Sequence, residues 1–200
     1  MFPSLPQAIQ KELEQLAQAY GQPLVRTVDL ANDYLFDPLS KTDRYGEVCI
    51  VVRRPNGYLL TMTKVFYPHG MYRLPTGGIN HGESILAALL RETTEETGLQ
   101  VEVCRFLAAL AYHLGDAGPG APPMFYTFAF LLNETGGTLG ALDESERVAG
   151  FLEVEPSALP LLAERLEQAE TTYSSEIEGR WRDWGCFRAA IHRATCEAYQ

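Results

Sequence analysis

The chain predicts an α/β or α+β sandwich, in which strands and helices interleave. Three observations carry that expectation. Two β-rich runs flank "RPNG" at residues 54–57. Two long apolar runs, 99–114 and 124–133, read as strands. Helical periodicity marks residues 7–20, 84–97, 158–170 and 183–199.

The first element follows from Ile9, Leu13 and Leu16, which share a helix face before Gly21 and Pro23 stop it. Residues 23–46 are mixed, a short strand and a loop. Strands are expected at 47–53 and 58–65, joined by a hairpin at Asn56-Gly57, since both residue types tolerate φ > 0. Residues 66–83 are dense in Gly and Pro and read as a loop. Ile85, Leu86, Leu89 and Leu90 then form an apolar helical stripe, closed by Gly98. Strands at 101–113 and 124–132 enclose "GDAGPGAPP", a loop flexible enough to gate a site or merely to connect. A short strand in 146–159, a helix, a polar linker at 171–180 and a last helix complete the chain. Trp181, Trp184 and Phe187, around the start of that last helix, suit either a dock within the chain or a homodimer interface.

Composition narrows the functional classes. The 200 residues are 46% hydrophobic and 21% charged, with a net charge of −10. Sixteen scattered Lys and Arg residues exclude non-specific nucleic-acid binding, which draws on a basic surface. An acidic protein still handles phosphates where a divalent cation bridges the two. Cys49, Cys104, Cys186 and Cys196 show no paired spacing, and Cys49 and Cys104 read as small core residues. The N-terminus lacks a basic segment followed by an apolar one, and no apolar run reaches membrane length. The expectation is a soluble cytoplasmic protein.

"RETTEETGL", residues 91–99, places Glu92, Glu95 and Glu96 on one helix face at i, i+3 and i+4. Like charges that close need a cation among them. Carboxylates with a backbone carbonyl and waters form a hard oxygen set suited to Mg²⁺, with Mn²⁺ as the alternative.

The wider spacing is Gly77, five residues, Glu83, seven residues, Arg91-Glu92-Thr93, one residue, Glu95-Glu96, one residue, Gly98-Leu99. This resembles the 23-residue signature of the Nudix hydrolases, G-x5-E-x7-R-E-U-x-E-E-x-G-U, where U is a bulky apolar residue. All seven fixed residues are present. At frequencies of about 7% each, that arises by chance roughly once in a million chains of this length. Thr93 departs from the pattern at a U position, which bears on packing more than chemistry.

The resemblance implies an α/β Nudix fold: a mixed sheet sandwiched between helices, here with extra N- and C-terminal helices. It divides the chain into a helix and lead-in (1–42), the hydrolase domain (43–165) and a helical extension packed on it (166–200). It implies Mg²⁺-dependent hydrolysis of a nucleoside diphosphate linked to another moiety, NDP-sugar or ADP-ribose-like. In that reading Glu92 and Glu96 are metal ligands, and Glu95 is a ligand or the water-activating base. The carbonyl of Thr76 or Gly77 completes the site. Arg91 fixes a carboxylate rotamer, Glu83 supports the loop–helix junction, and Gly82 and Gly98 serve backbone geometry. Glu144 or Glu146 supplies the further glutamate that many members use.

Subclass markers are absent downstream: no proline at 114–115, no tyrosine at 116–117, no "SQPWPFPxS" stretch. Phe66, Tyr67, Tyr72 and Tyr112 are candidate ring contacts, and Arg53, Arg54, Lys64 and Arg73 candidate phosphate contacts. His69, His81 and His113 read as exposed or hydrogen-bonded. Two other functions share this fold. One is a non-catalytic nucleotide sensor, which often lacks box glutamates. The other is an isomerase, for which Cys49 is a weak match.

Overall fold

The computed structural model describes residues 1–31, 35–115 and 121–200. Most of the "GDAGPGAPP" loop, and the expectation that it gates a site, lies outside the described residues. One seven-stranded sheet organises the chain. Its strands are β1 (Leu24–Leu30), β2 (Arg44–Arg53), β3 (Leu59–Lys64), β4 (Thr76–Asn80), β5 (Leu99–Leu114), β6 (Phe125–Gly137) and β7 (Val148–Val154). The order is β1-β5-β6-β2-β3-β7, with β4 paired to β2 as well. Pairing is parallel for β1–β5 and β2–β6 and antiparallel elsewhere, so the sheet is mixed as expected. Two further two-residue strands, β8 (Tyr173–Ser174) and β9 (Gly179–Arg180), form a small hairpin in the segment expected to be a plain linker.

Among the described residues four α-helices sandwich the sheet: α1 (Gln7–Tyr20), α2 (Ile85–Thr97), α3 (Leu159–Glu167) and α4 (Trp181–Tyr199). Strand alternation assigns the faces. Val48, Ile50 and Val52 of β2 join Phe128 and Phe130 of β6 in the core that includes α1 and α2. Cys49, Val51, Ala129 and Leu131 join the core that includes α3 and α4. On β5, Phe106 pairs with Phe130 and Ala108 with Ala129, so Leu107 is an extra residue in a bulge. That bulge lets neighbouring Leu107 and Ala108 belong to the same core.

Local expectations are corrected in three places. The presumed loop 66–83 contains β4, because Gly77 and Gly78 gain strand pairing from Val48 and Glu47 of β2. The β2–β3 turn has φ > 0 only at Gly57 (86°), not at Asn56. Arg54 N donates to Tyr58 O and Gly57 N to Arg54 O, the pattern of a three-residue loop ending in a glycine. In the α2 stripe, Ile85 and Leu89 are buried but Leu90 is 41% exposed.

The terminal helices cover faces of the sheet. Trp181, Trp184 and Phe187 are buried within the chain, which settles their role as an internal dock and leaves the homodimer without the surface that suggested it. Among the described residues no helix is long and apolar enough to cross a membrane.

Candidate active site

Helix α2 holds the acidic residues and is fixed at both ends. Ser84 caps its start by accepting from Ala87 N (3.1 Å), and Glu12 of α1 accepts from Ile85 N (2.6 Å). Gly98 ends it at φ 67°, donating to Thr94 O. Thr93 is fully buried and spends its hydroxyl on Leu89 O (2.6 Å). A smaller polar residue thus fits the position where the family pattern has a larger apolar one.

The glutamates do not form a solvated face. Arg91 bridges them: Nε and Nη2 donate to the two Glu83 oxygens (2.8 Å each), and Nη1 donates to Glu92 (2.8 Å) and Glu95 (2.9 Å). Nη2 also donates to Gly78 O (3.0 Å), tying β4 to the helix. The Arg91 hydrogen bonds hold Glu83 below the usual carboxylate range. Glu83 also accepts from Asn80 N (3.1 Å), which is the junction role the sequence suggested. Glu92 is pushed up by burial, against the pull of Arg91. A Cβ on Gly77 would lie 2.0 Å from Glu92 Cδ, so only glycine leaves room for that carboxylate against the strand.

Glu96 is buried most deeply. Its side chain is 1% exposed, and both carboxylate oxygens are enclosed without a hydrogen-bond donor. Lys64 Nζ faces Oε1 at 3.3 Å. Burial raises the Glu96 pKa to about 7, although Lys64 and Arg73 pull the other way. Lys64 also donates to Glu146 (2.7 Å). Burial works against the Lys64 charge, but Glu96 beside it keeps its pKa above the ordinary lysine value. Burial is the largest influence on Glu146 and opposes its anion, but the Lys64 hydrogen bond, the Lys64 charge and the contact with Glu96 together hold its pKa below the ordinary glutamate value.

Glu146 reaches this place because its loop hangs from α2. Gly140 N bonds Thr97 O, Leu142 N bonds Glu95 O, and Arg147 O accepts from Val65 N. Glu144, the other downstream candidate, is exposed.

A cleft of about 220 Å³ opens here, lined by Thr76, Gly77, Glu92, Lys64 and Glu146 and also by residues the sequence reading missed. Neither Glu95, 37% exposed, nor the enclosed Glu96 lines it. Among the described residues, no three His, Cys, Asp or Glu side chains already converge around an ion. The missed residues include Arg44, Glu47 and Arg188. Arg188 of α4 holds Glu47 of β2 through Nη1 at 2.6 and 2.8 Å. His192, one turn further on, accepts from Leu74 N (2.9 Å), and its Nδ1 donates to Arg188 O (2.7 Å). Both ring nitrogens are satisfied only in the neutral tautomer, and burial lowers the His192 pKa to about 4. No local pattern connects residues so far apart in sequence.

The remaining candidates separate. Phe66 and Tyr67 line the cleft; Tyr72 packs at the core and Tyr112 is fully buried in it. Arg73 also lines the cleft, but it is buried and braces the loop through Tyr67 OH, Leu74 O and Thr76 Oγ1. Arg53 bonds Asn133, and Arg54 pairs with Glu134 and Glu153, so neither reaches the cleft. His69 and His81 are exposed, and His113 bonds Asp29.

The NUDIX domain model matches residues 44–174. The chain belongs to the Nudix family. Over 74 residues it is 43% identical to Nudix hydrolase 10 of Arabidopsis thaliana, covering 37% of this chain and 20% of that protein. Over 80 residues it is 35% identical to putative nudix hydrolase 1 of Caenorhabditis elegans, covering 40% and 20%. The matched region thus spans about a fifth of the length of these curated relatives. An ADP-ribose pyrophosphatase from Streptococcus suis superposes with a TM-score of 0.47 at 16% identity, covering 78% of this chain and 91% of that one. This Nudix chain carries its signature on β4, α2 and the turn between them.

Proposed function

We propose that the protein is a Mg²⁺- or Mn²⁺-dependent pyrophosphohydrolase acting on a nucleoside diphosphate linked to another moiety, NDP-sugar or ADP-ribose-like. The observation that carries this reading is Glu96: a carboxylate 1% exposed with no hydrogen bond to either oxygen, faced at 3.3 Å by one ammonium, Lys64, that is shared with Glu146, and one helix turn from a second buried carboxylate in a glycine cradle. One shared ammonium among Glu92, Glu96 and Glu146 leaves buried negative charge that a divalent cation would balance. Glu92 and Glu96 would hold the ion, with Glu95 and the carbonyl of Thr76 or Gly77 completing the set. A bound divalent ion neutralises diphosphate oxygens and makes a coordinated water more acidic.

The chain's own residues supply the rest. Lys64 and Arg44 place positive charge in the cleft for the phosphates. The water oxygen bonds to phosphorus as the bond to the bridging oxygen breaks, giving two phosphate monoesters. Glu146, in the cleft and fixed by Lys64, accepts the water's proton. Glu95 is the less favoured base because its side chain is more exposed and does not line the cleft.

The test is hydrolysis of ADP-ribose, UDP- and GDP-sugars, NADH and dinucleoside polyphosphates, with Mg²⁺, with Mn²⁺ and with chelator. Metal-dependent release of a nucleoside monophosphate, lost in Glu96→Gln, is the expected result. If nothing is cleaved and a nucleotide still raises the melting temperature, the chain is a sensor and the enzyme reading falls.

A further inference from the structure

Arg188 is only 5% exposed, yet it forms part of the cleft wall together with Trp184 and Glu47. Glu47 engages Nη1 alone, and Thr127 Oγ1 donates to the same carboxylate at 3.1 Å. The guanidinium lies 4.9 Å from the Phe187 ring and 5.8 Å from the Trp184 ring. Nε is enclosed with no hydrogen-bond partner. A guanidinium carries five N–H donors in a planar fork. Here the carboxylate takes Nη1 and leaves Nε without an acceptor, with Nη2 free to turn to the cleft.

The plain alternative is that the ion pair only fastens α4 to β2. That role is already filled in part by His192, which bonds the backbone just before β4. An ion pair serving only as a fastener would also have no reason to leave a buried donor unsatisfied, since that costs stability. Its position in the cleft wall matters too, because the wall is where a ligand could supply the acceptor.

We propose that Arg188, oriented by Glu47, is a specificity-determining residue that donates to a carbonyl oxygen on the base of the substrate nucleotide. The cleft then takes oxo-bases of the guanine or uracil type in preference to adenine. This rests on reading the cleft as the nucleotide site. Three features select that chemistry. Arginine only donates, so the amino group of adenine would set donor against donor, whereas a carbonyl accepts. Glu47 neutralises Arg188 at close range, which favours a neutral acceptor and repels a second anion. Phe66, Tyr67 and Trp184 give the same cleft aromatic walls for a planar ring.

The experiment measures binding of GMP, UMP and AMP by titration calorimetry, which needs no turnover. The expected result is that GMP or UMP binds on the order of tenfold or more tightly than AMP. Two variants follow. Arg188→Lys keeps a charge on Glu47 but lacks the fork. The double variant Arg188→Met with Glu47→Met removes both charges, so neither is left buried alone. Both should lose the preference while thermal unfolding stays cooperative. AMP binding as tightly as GMP and UMP, or a preference that survives in the folded variants, would overturn the assignment. A preference without cleavage of any substrate keeps the subsite and removes the hydrolase. Cleavage indifferent to the base, with equal binding, does the reverse.

Discussion

Removing the Arg91 guanidinium would leave Glu83, Glu92 and Glu95 facing one another without the cation they share. In Arg91→Met we expect metal-dependent turnover to fall about 10- to 100-fold, the usual loss when a partner that orients metal ligands is removed. Arg91→Lys restores charge but not the fork that spans both Glu83 oxygens and Gly78 O, so recovery should be partial. A Mg²⁺ titration of turnover checks this, and full rescue by lysine would mean that charge alone matters. Arg91 and the glutamates it bridges were legible in sequence because they sit one, four and eight residues from it, within one helix and its lead-in. Glu47 and Arg188 were not, because β2 and α4 meet only through the tertiary fold. Arg53 and Arg54 misled because a strand-end arginine gives no sign of whether it turns to the cleft or to acids on neighbouring strands.

At the level of elements, α2 is held by unlike caps, and the two should fail differently. Ser84→Ala removes one bond to Ala87 N and should cost about 1 kcal/mol. Its effect on activity should be small. Gly98→Ala places a Cβ 2.6 Å from both Gly140 O and Thr138 O at a φ of 67°, so strain adds to the clash. It should cost more than Ser84→Ala, since a left-handed site resists any side chain. It should also lower turnover, because the loop that carries Glu146 is hung from the same helix end. Urea unfolding of both variants, with rates measured well below the transition, separates the two effects. Equal activity in both would detach Glu146 from the helix end. The helices and long strands were readable from periodicity. Strand β4 was not, since Thr76-Gly77-Gly78 has poor strand propensity and is made a strand by pairing with β2.

Across the whole molecule, two buried groups on different helices oppose each other in their response to pH. Glu96 has a pKa raised from 4.5 to about 7 by burial, so the folded chain holds a proton that the unfolded chain releases. Its protonated form favours folding fully below about 4.5, and that contribution is lost as pH rises towards 7. His192 has a pKa lowered from 6.5 to about 4 by burial, so the unfolded chain takes a proton that the folded chain refuses. Its neutral form favours folding fully above about 6.5, and that contribution is lost as pH falls towards 4. Substitution separates the slopes. Without divalent metal, Glu96→Gln should be more stable than the parent chain at pH 7.5, where it removes a buried anion, and the gap should close by pH 5. His192→Gln should show the opposite trend, its deficit against the parent shrinking as the pH falls. Adding Mg²⁺ at pH 7.5 should raise the parent's melting temperature and leave Glu96→Gln nearly unmoved, since an ion bound only by the folded state stabilises it by mass action. Melting curves at pH 5, 6, 7 and 7.5 decide the matter. A Glu96→Gln profile parallel to the parent's would show that this carboxylate keeps its charge without cost, and the main argument for an ion at Glu96 would go with it.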